Sequence, residues 1–114
     1  YTTEQQLIDN ICNYLKENYR DPSIGLTKIS ENFNISESYF SFLFKKVKGQ
    51  NFFNYLEQLR MNASMEYVKQ TDCALSDIYL YVGYNNTGSF RRAFKKTFGD
   101  TPGNIRKSWL SSQK

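Results

Sequence analysis

What most constrains this chain is a short phrase that it spells twice. The stretch "FLFKKVKGQ" begins at Phe42 and "RAFKKTFGD" begins at Arg92, and the aligned Phe44 and Phe94 are 50 residues apart. The echo reaches upstream. Leu26, Ile29 and Phe33 before Asn34 match Leu75, Ile78 and Val82 before Gly83, at an offset of 49. After the turn, Phe40, Phe44, Lys45, Lys46 and Gly49 match Phe90, Phe94, Lys95, Lys96 and Gly99 at an offset of 50, so the second copy carries one extra residue in or just after its turn. Apolar residues three and four apart mark one face of a helix. Asn and Gly suit a left-handed backbone. Each copy therefore reads as a short helix, a tight turn and a longer helix, which is the grammar of a helix-turn-helix.

The rest of the chain extends the pattern. Leu7, Ile8, Ile11, Leu15 and Tyr19 predict a first helix over about 4–19, with Thr3 as its N-cap. Helices follow at 26–33, 36–48, 51–69, 75–82, 86–98 and 102–110, with Ser36 as a cap, Gly49 and Gly99 as stops, and Pro102 in a first turn. The helix at 51–69 is apolar on two sides: Phe52, Leu56, Leu59 and Ala63 on one, Met61, Met65 and Val68 on the other. A helix greasy on two sides is covered on two sides, so it is expected to link two small units, about 4–50 and 71–110. No useful stretch alternates with period two. The chain reads as all-α, with seven helices in two helix-turn-helix subdomains joined by a long linker helix.

Composition narrows the function. Histidine is absent, which removes the commonest general base, the Ser-His triad and most zinc sites. No Gly-rich phosphate loop or carboxylate constellation is visible, so an enzyme is not expected, nor a metal or cofactor. Two cysteines, Cys12 and Cys73, read as free thiols in a reducing compartment. No apolar run approaches membrane-spanning length. The chain starts at Tyr1 without Met and is expected to be a piece of something longer. The net charge of +4 is unevenly spread: residues 1–85 hold 8 Lys/Arg and 10 Asp/Glu, and residues 86–114 hold 7 Lys/Arg and 1 Asp. A basic C-terminal segment suits a polyanion partner or, equally, a plain solvated surface.

In a helix-turn-helix the outward face of the longer helix is free to enter a major groove, which admits one α-helix. The repeated Lys-Lys falls in the last turn of each such helix, where it can reach a phosphate and also complement the helix dipole. Two such motifs around a two-faced helix resemble the DNA-binding domain of the AraC family of bacterial transcription regulators. The most specific stretch is "VGYNNTGSFRRAFKKTFGDTPGNIRK", from Val82 to Lys107; "SYFSFLFKKVKG" and "FFNYLEQLRM" are similar to the family's first recognition helix and linker helix. The resemblance implies sequence-specific double-stranded DNA binding, two recognition helices in successive major-groove segments, and transcription regulation as an activator in the bacterial cytoplasm. It also implies contact with RNA polymerase, a sensor or dimerisation domain elsewhere in the full-length chain, and no membrane contact by this domain. The alternative is a helical protein-interaction module.

The resemblance assigns base contacts to Ser38, Ser41 and Phe42 in the first motif and to Asn86, Thr87, Gly88, Arg91 and Arg92 in the second. Arg92 is the first choice for guanine, because its fork bridges O6 and N7; Arg91 is an alternative phosphate ligand. Backbone contacts are expected from Ser36, Lys45, Lys46, Lys95, Lys96 and Arg106, with Asn86 also a phosphate candidate at a helix start. Arg106 and Lys107 read equally as a solvated C-terminal segment. Two positions depart from the family. Tyr79 stands where a small residue is usual. Phe42 stands where a basic residue is common; its ring could touch a thymine methyl or fold back on its own helix. Glu37 either accepts from cytosine N4 or simply stabilises a helix N-terminus. Most of the affinity is expected from the second motif.

Overall fold

A computed structural model describes residues 3–113. The elements are α1 (Glu4–Asn18), α2 (Leu26–Phe33), α3 (Glu37–Lys48), α4 (Phe52–Gln70), a 3-10 turn (Leu75–Asp77), α5 (Ile78–Tyr81), α6 (Thr87–Phe98) and α7 (Pro102–Ser112). The described residues thus form seven α-helices and no strand. The chain divides into two compact units, one ending at Gln58 and one beginning at Leu59, and the division falls inside α4.

The first unit is built on aromatic packing. Thr3 and Gln6 form a reciprocal capping box that starts α1. Ile8, Ile11 and Leu15 of α1, Ile29 of α2, and Phe40, Leu43 and Phe44 of α3 are fully buried, with Phe52 and Leu56 of α4 almost so. Phe40, Phe44 and Phe52 meet edge to face, with ring centroids 5.2–6.1 Å apart, a geometry that favours aromatic pairs. Between α2 and α3, Asn34 takes the left-handed conformation at φ 57° and ψ 45°, and the Ile35 N–H donates to the Ser30 carbonyl at 3.0 Å. Ser30 is buried in α2, and its hydroxyl has no hydrogen-bond partner among the described residues.

The second unit repeats the turn with other residues. Gly83 supplies the positive φ, at 98°, and the Tyr84 N–H donates to the Tyr79 carbonyl at 3.0 Å, as Ile35 does to Ser30. The inserted residue therefore lies after this bond, in the stretch Asn85–Asn86 ahead of α6. Met61, Val68, Ile78, Val82, Phe90, Ala93 and Phe94 form the core, and Tyr79, Tyr84, Phe98 and Ile105 pack against it. Phe94 and Phe98 are in contact at 4.7 Å. Ala63 also packs on this core, not on the face it was expected to share with Phe52.

One element differs from its predicted form. The helix expected at 75–82 is a 3-10 turn followed by the four residues of α5. Ala74 precedes it and has no side chain to accept the orphan N–H groups, so the turn closes with the tighter bond from the Asp77 N–H to the Ala74 carbonyl at 2.9 Å. Helix ends also move: α1 stops at Asn18, α4 runs to Gln70 and α7 runs on to Ser112.

Candidate nucleic-acid interface

In the first unit, α3 starts at Ser36, whose hydroxyl accepts the Tyr39 N–H at 3.1 Å. Because Phe40, Leu43 and Phe44 turn into the core, Ser38, Ser41, Phe42 and Lys45 are left exposed on the other side. Phe42 is the most exposed large apolar residue, at 64%. Glu37 lies in the first turn, where it complements the helix dipole. Lys46, expected at a phosphate, pairs with Glu4 of α1 at 3.1 Å. Both partners are about half exposed, and such pairs are weak enough for a phosphate to displace. The Lys48 ammonium lies 5.6 Å from the Tyr55 ring centre.

In the second unit, α6 starts at Asn86, whose side-chain oxygen accepts the Ser89 N–H at 2.8 Å. Thr87 and Gly88 are half-buried in the first turn. The Arg92 guanidinium folds toward this turn and donates through Nη2 to Ser89 Oγ at 3.3 Å. A Cβ at Gly88 would meet Asn86 Oδ1 at 3.4 Å and Arg92 Nη1 at 3.5 Å, so the glycine leaves the helix start open beneath Arg92.

Arg91 and Lys95 lie on another side of α6. With Thr87, Thr101, Pro102 and Gly103 they line a cleft of about 290 Å³ beside the start of α7. Thr101 caps that helix by accepting the Asn104 N–H at 3.2 Å. Asp100 is held below the usual carboxylate range by the Asn104 amide, then by the Thr101 N–H, with a smaller pull from Lys95. Lys95 and Lys96 occupy the last turn of α6, as Lys45 and Lys46 do in α3.

Arg106 differs from expectation. Its guanidinium faces inward: Nε donates to the Val68 carbonyl at 2.9 Å, Nη1 to Cys73 at 2.8 Å and Nη2 to Tyr67 at 3.0 Å. Tyr67 and Val68 belong to the last turn of α4, where orphan carbonyls need donors, and a cation also complements the helix dipole. Arg106 is therefore a clasp inside the unit instead of a surface ligand. No sequence signal marks it: only in the structure are Ile105 and Arg106 half-buried while Lys107 faces solvent.

The two exposed faces offer different chemistry. Up to Gln58 the chain has six Lys/Arg and seven Asp/Glu; from Leu59 it has nine and four. The α6 face presents two guanidinium forks, suited to base edges and phosphates. The α3 side presents hydroxyls, which pair with most partners, the ring of Phe42 with Tyr39 exposed beside it, and Lys45. No helix among the described residues is long and apolar enough to cross a membrane.

Comparison with known proteins agrees with this architecture. A family model described as a helix-turn-helix domain matches residues 29–108. AdaA of Bacillus subtilis, a bifunctional transcriptional activator and DNA repair enzyme, is 31% identical over 90% of this chain and 48% of its own length. The first curated relatives are all longer, this chain spanning 13–48% of their lengths. Among solved structures, the C-terminal domain of AraT, a response regulator from Geobacillus stearothermophilus, superposes with a TM-score of 0.86 at 26% identity, over 90% of this chain and 84% of that one. The DNA-binding domain of the global transcriptional factor AdpA, solved with a target DNA, also reaches 0.86, at 13% identity over 92% and 94%, which speaks to the fold. With two helix-turn-helix units and a family match over most of its length, the chain belongs to the AraC-type helix-turn-helix DNA-binding domains of bacterial transcriptional regulators.

Proposed function

We propose that this chain binds double-stranded DNA sequence-specifically, with α3 and α6 in successive major-groove segments about one duplex turn apart. It acts as the DNA-binding part of a longer, cytoplasmic regulator that activates transcription and touches RNA polymerase; α4 is its linker helix. The observation that carries the reading is the face of α6, where Arg91, Arg92 and Lys95 stay exposed while Phe90, Ala93 and Phe94 fill the core. Arg92 reads guanine. Ser38, Ser41, Phe42, Asn86, Thr87 and Gly88 make or shape the remaining base contacts, and Arg91 shares its fork between bases and backbone. Ser36, Lys45, Lys46, Lys95 and Lys96 hold phosphates. The activator role is supported by the name of AdaA, and no enzymatic step is assigned, since the helix-turn-helix match accounts for residues 29–108.

The test is fluorescence anisotropy of a labelled duplex titrated at several salt concentrations. Releasing counterions from several phosphates should give a steep negative slope of log affinity against log salt. On a site selected from a library, Arg92→Ala should cost about 1–3 kcal/mol and relax preference at one base pair. Lys95→Ala should weaken all sequences alike and reduce the salt slope by about one. Flat or absent binding would refute the reading and turn the search to protein partners.

A further inference from the structure

The exposed ring of Phe42 is the least expected group on either candidate recognition face. Basic or hydroxyl side chains are at home there; a phenyl ring neither donates nor accepts a hydrogen bond, and in water its exposed area costs free energy. Folding back was the other option open to it. At 64% exposure the ring has not done so. It enters none of the ring pairs that join Phe40, Phe44, Phe52, Phe53 and Tyr55 in this unit. Its helical neighbours leave it prominent. Ser38 and Tyr39 lie one turn before it and Lys45 and Lys46 one turn later; Ser38 is short, Tyr39 is less exposed at 41%, and Lys46 is turned to Glu4. A helix lying with this face in a groove would therefore meet the base edges first with the ring. In the major groove one apolar group is on offer, the C5 methyl of thymine.

We infer that Phe42 is a specificity-determining residue that selects thymine in the half-site facing α3, by burying the thymine methyl against its ring. The inference rests on the DNA-binding reading above and adds the base identity that one position of the site must have. It separates the two units chemically: α6 reads through hydrogen-bonding forks, and α3 reads one position by removing a methyl group from water. Ser38 and Ser41, which pair with either donors or acceptors, add little discrimination of their own.

The experiment uses the 114-residue chain and its site selected from a random library. Each thymine of the half-site facing α3 is replaced, one at a time, by deoxyuridine, which lacks only the methyl group. One replacement should weaken binding by about fourfold, the factor that burial of one methyl group is worth. Phe42→Ala should bind thymine and deoxyuridine duplexes equally, while Phe42→Leu should keep part of the preference. Phe42 lies outside the core, and an unchanged melting temperature would check that the variants remain folded. A half-site without thymine, uniform tolerance of deoxyuridine, or a deoxyuridine penalty that survives in Phe42→Ala would overturn the inference. Any of these with the salt-dependent binding intact would leave the DNA-binding reading standing. Loss of duplex binding altogether would sink both.

Discussion

The two helix-turn-helix units share a turn geometry and a set of repeated core residues, and differ in the side chains placed around that frame. The turn is the clearest case. Both close with the same bond from the residue after the left-handed position to the carbonyl five residues earlier, Ile35 to Ser30 and Tyr84 to Tyr79. One uses Asn at φ 57° and the other Gly at φ 98°. The acceptor of that bond is a buried serine in one and a half-buried tyrosine in the other. The first unit is held by a triangle of phenylalanine rings, and the second adds an arginine that joins α7 to the end of α4 and the loop beyond it. The motif thus sets a geometry, and both the stabilising chemistry and the exposed side chains are chosen separately in each copy.

Breaking the clasp should produce the largest difference between the units. Arg106→Ala removes hydrogen bonds from a charged donor to three carbonyls and should cost about 3 kcal/mol, since each such bond is worth ~1.5–3 and the three are not additive. Hydrogen exchange should show lost protection in α5, α6 and α7, with α1–α3 unchanged. Arg106→Lys should recover little, because one ammonium cannot reproduce the fork. A reduced salt slope with unchanged protection would instead return Arg106 to the DNA backbone.

The turns sharpen the comparison next. Gly83→Ala forces a Cβ into the left-handed region and should destabilise by ~1–2 kcal/mol. Asn34→Gly should shift stability by less than about 0.5 kcal/mol, because both residues accept that backbone. Denaturant midpoints of the two variants check this, and equal losses would mean that the turns are not distinguished by backbone strain.

The smallest effect concerns pH. Burial, with contact from the Cys12 thiol, pushes the Tyr55 hydroxyl up to about 12 from 10.0. A raised pKa in the folded state favours the neutral form there, so this contribution is whole below pH 10 and is lost as pH rises toward 12. Tyr55→Phe should flatten that alkaline decline slightly, as followed by circular dichroism. An unchanged profile would place the alkaline loss elsewhere.

Much of this was legible in the residues. The repeated Phe40/Phe44 and Phe90/Phe94 spacing, the Lys-Lys pairs and the two stop glycines mark the helices and the faces they expose, because helical period and capping are local properties. What was not legible depends on contacts distant in sequence. Lys46 meets Glu4 only because α1 packs beside α3. Arg106 reads as one more basic residue in a basic segment, and nothing in its spacing reveals a carbonyl 38 residues away. The 3-10 turn before α5 reflects a weak cap at Ala74, a signal that an otherwise regular Leu75, Ile78, Val82 pattern hides. Whether Phe42 packs or projects is a choice of side-chain direction that helical spacing alone leaves open.

The clasp also bears on the order in which the chain can be made and folded. Synthesis runs from the N-terminus at about 5–20 residues per second. Every buried side chain of the first unit has been added by Leu56. The second unit must wait for residue 106 before the carbonyls of Tyr67, Val68 and Cys73 receive their shared donor. On the ribosome the first unit has its full complement of core residues while the second still lacks its last fastening, so a stalled or prematurely released chain would carry one finished unit and one incomplete one. The unit with the guanidinium forks is the later of the two to be secured.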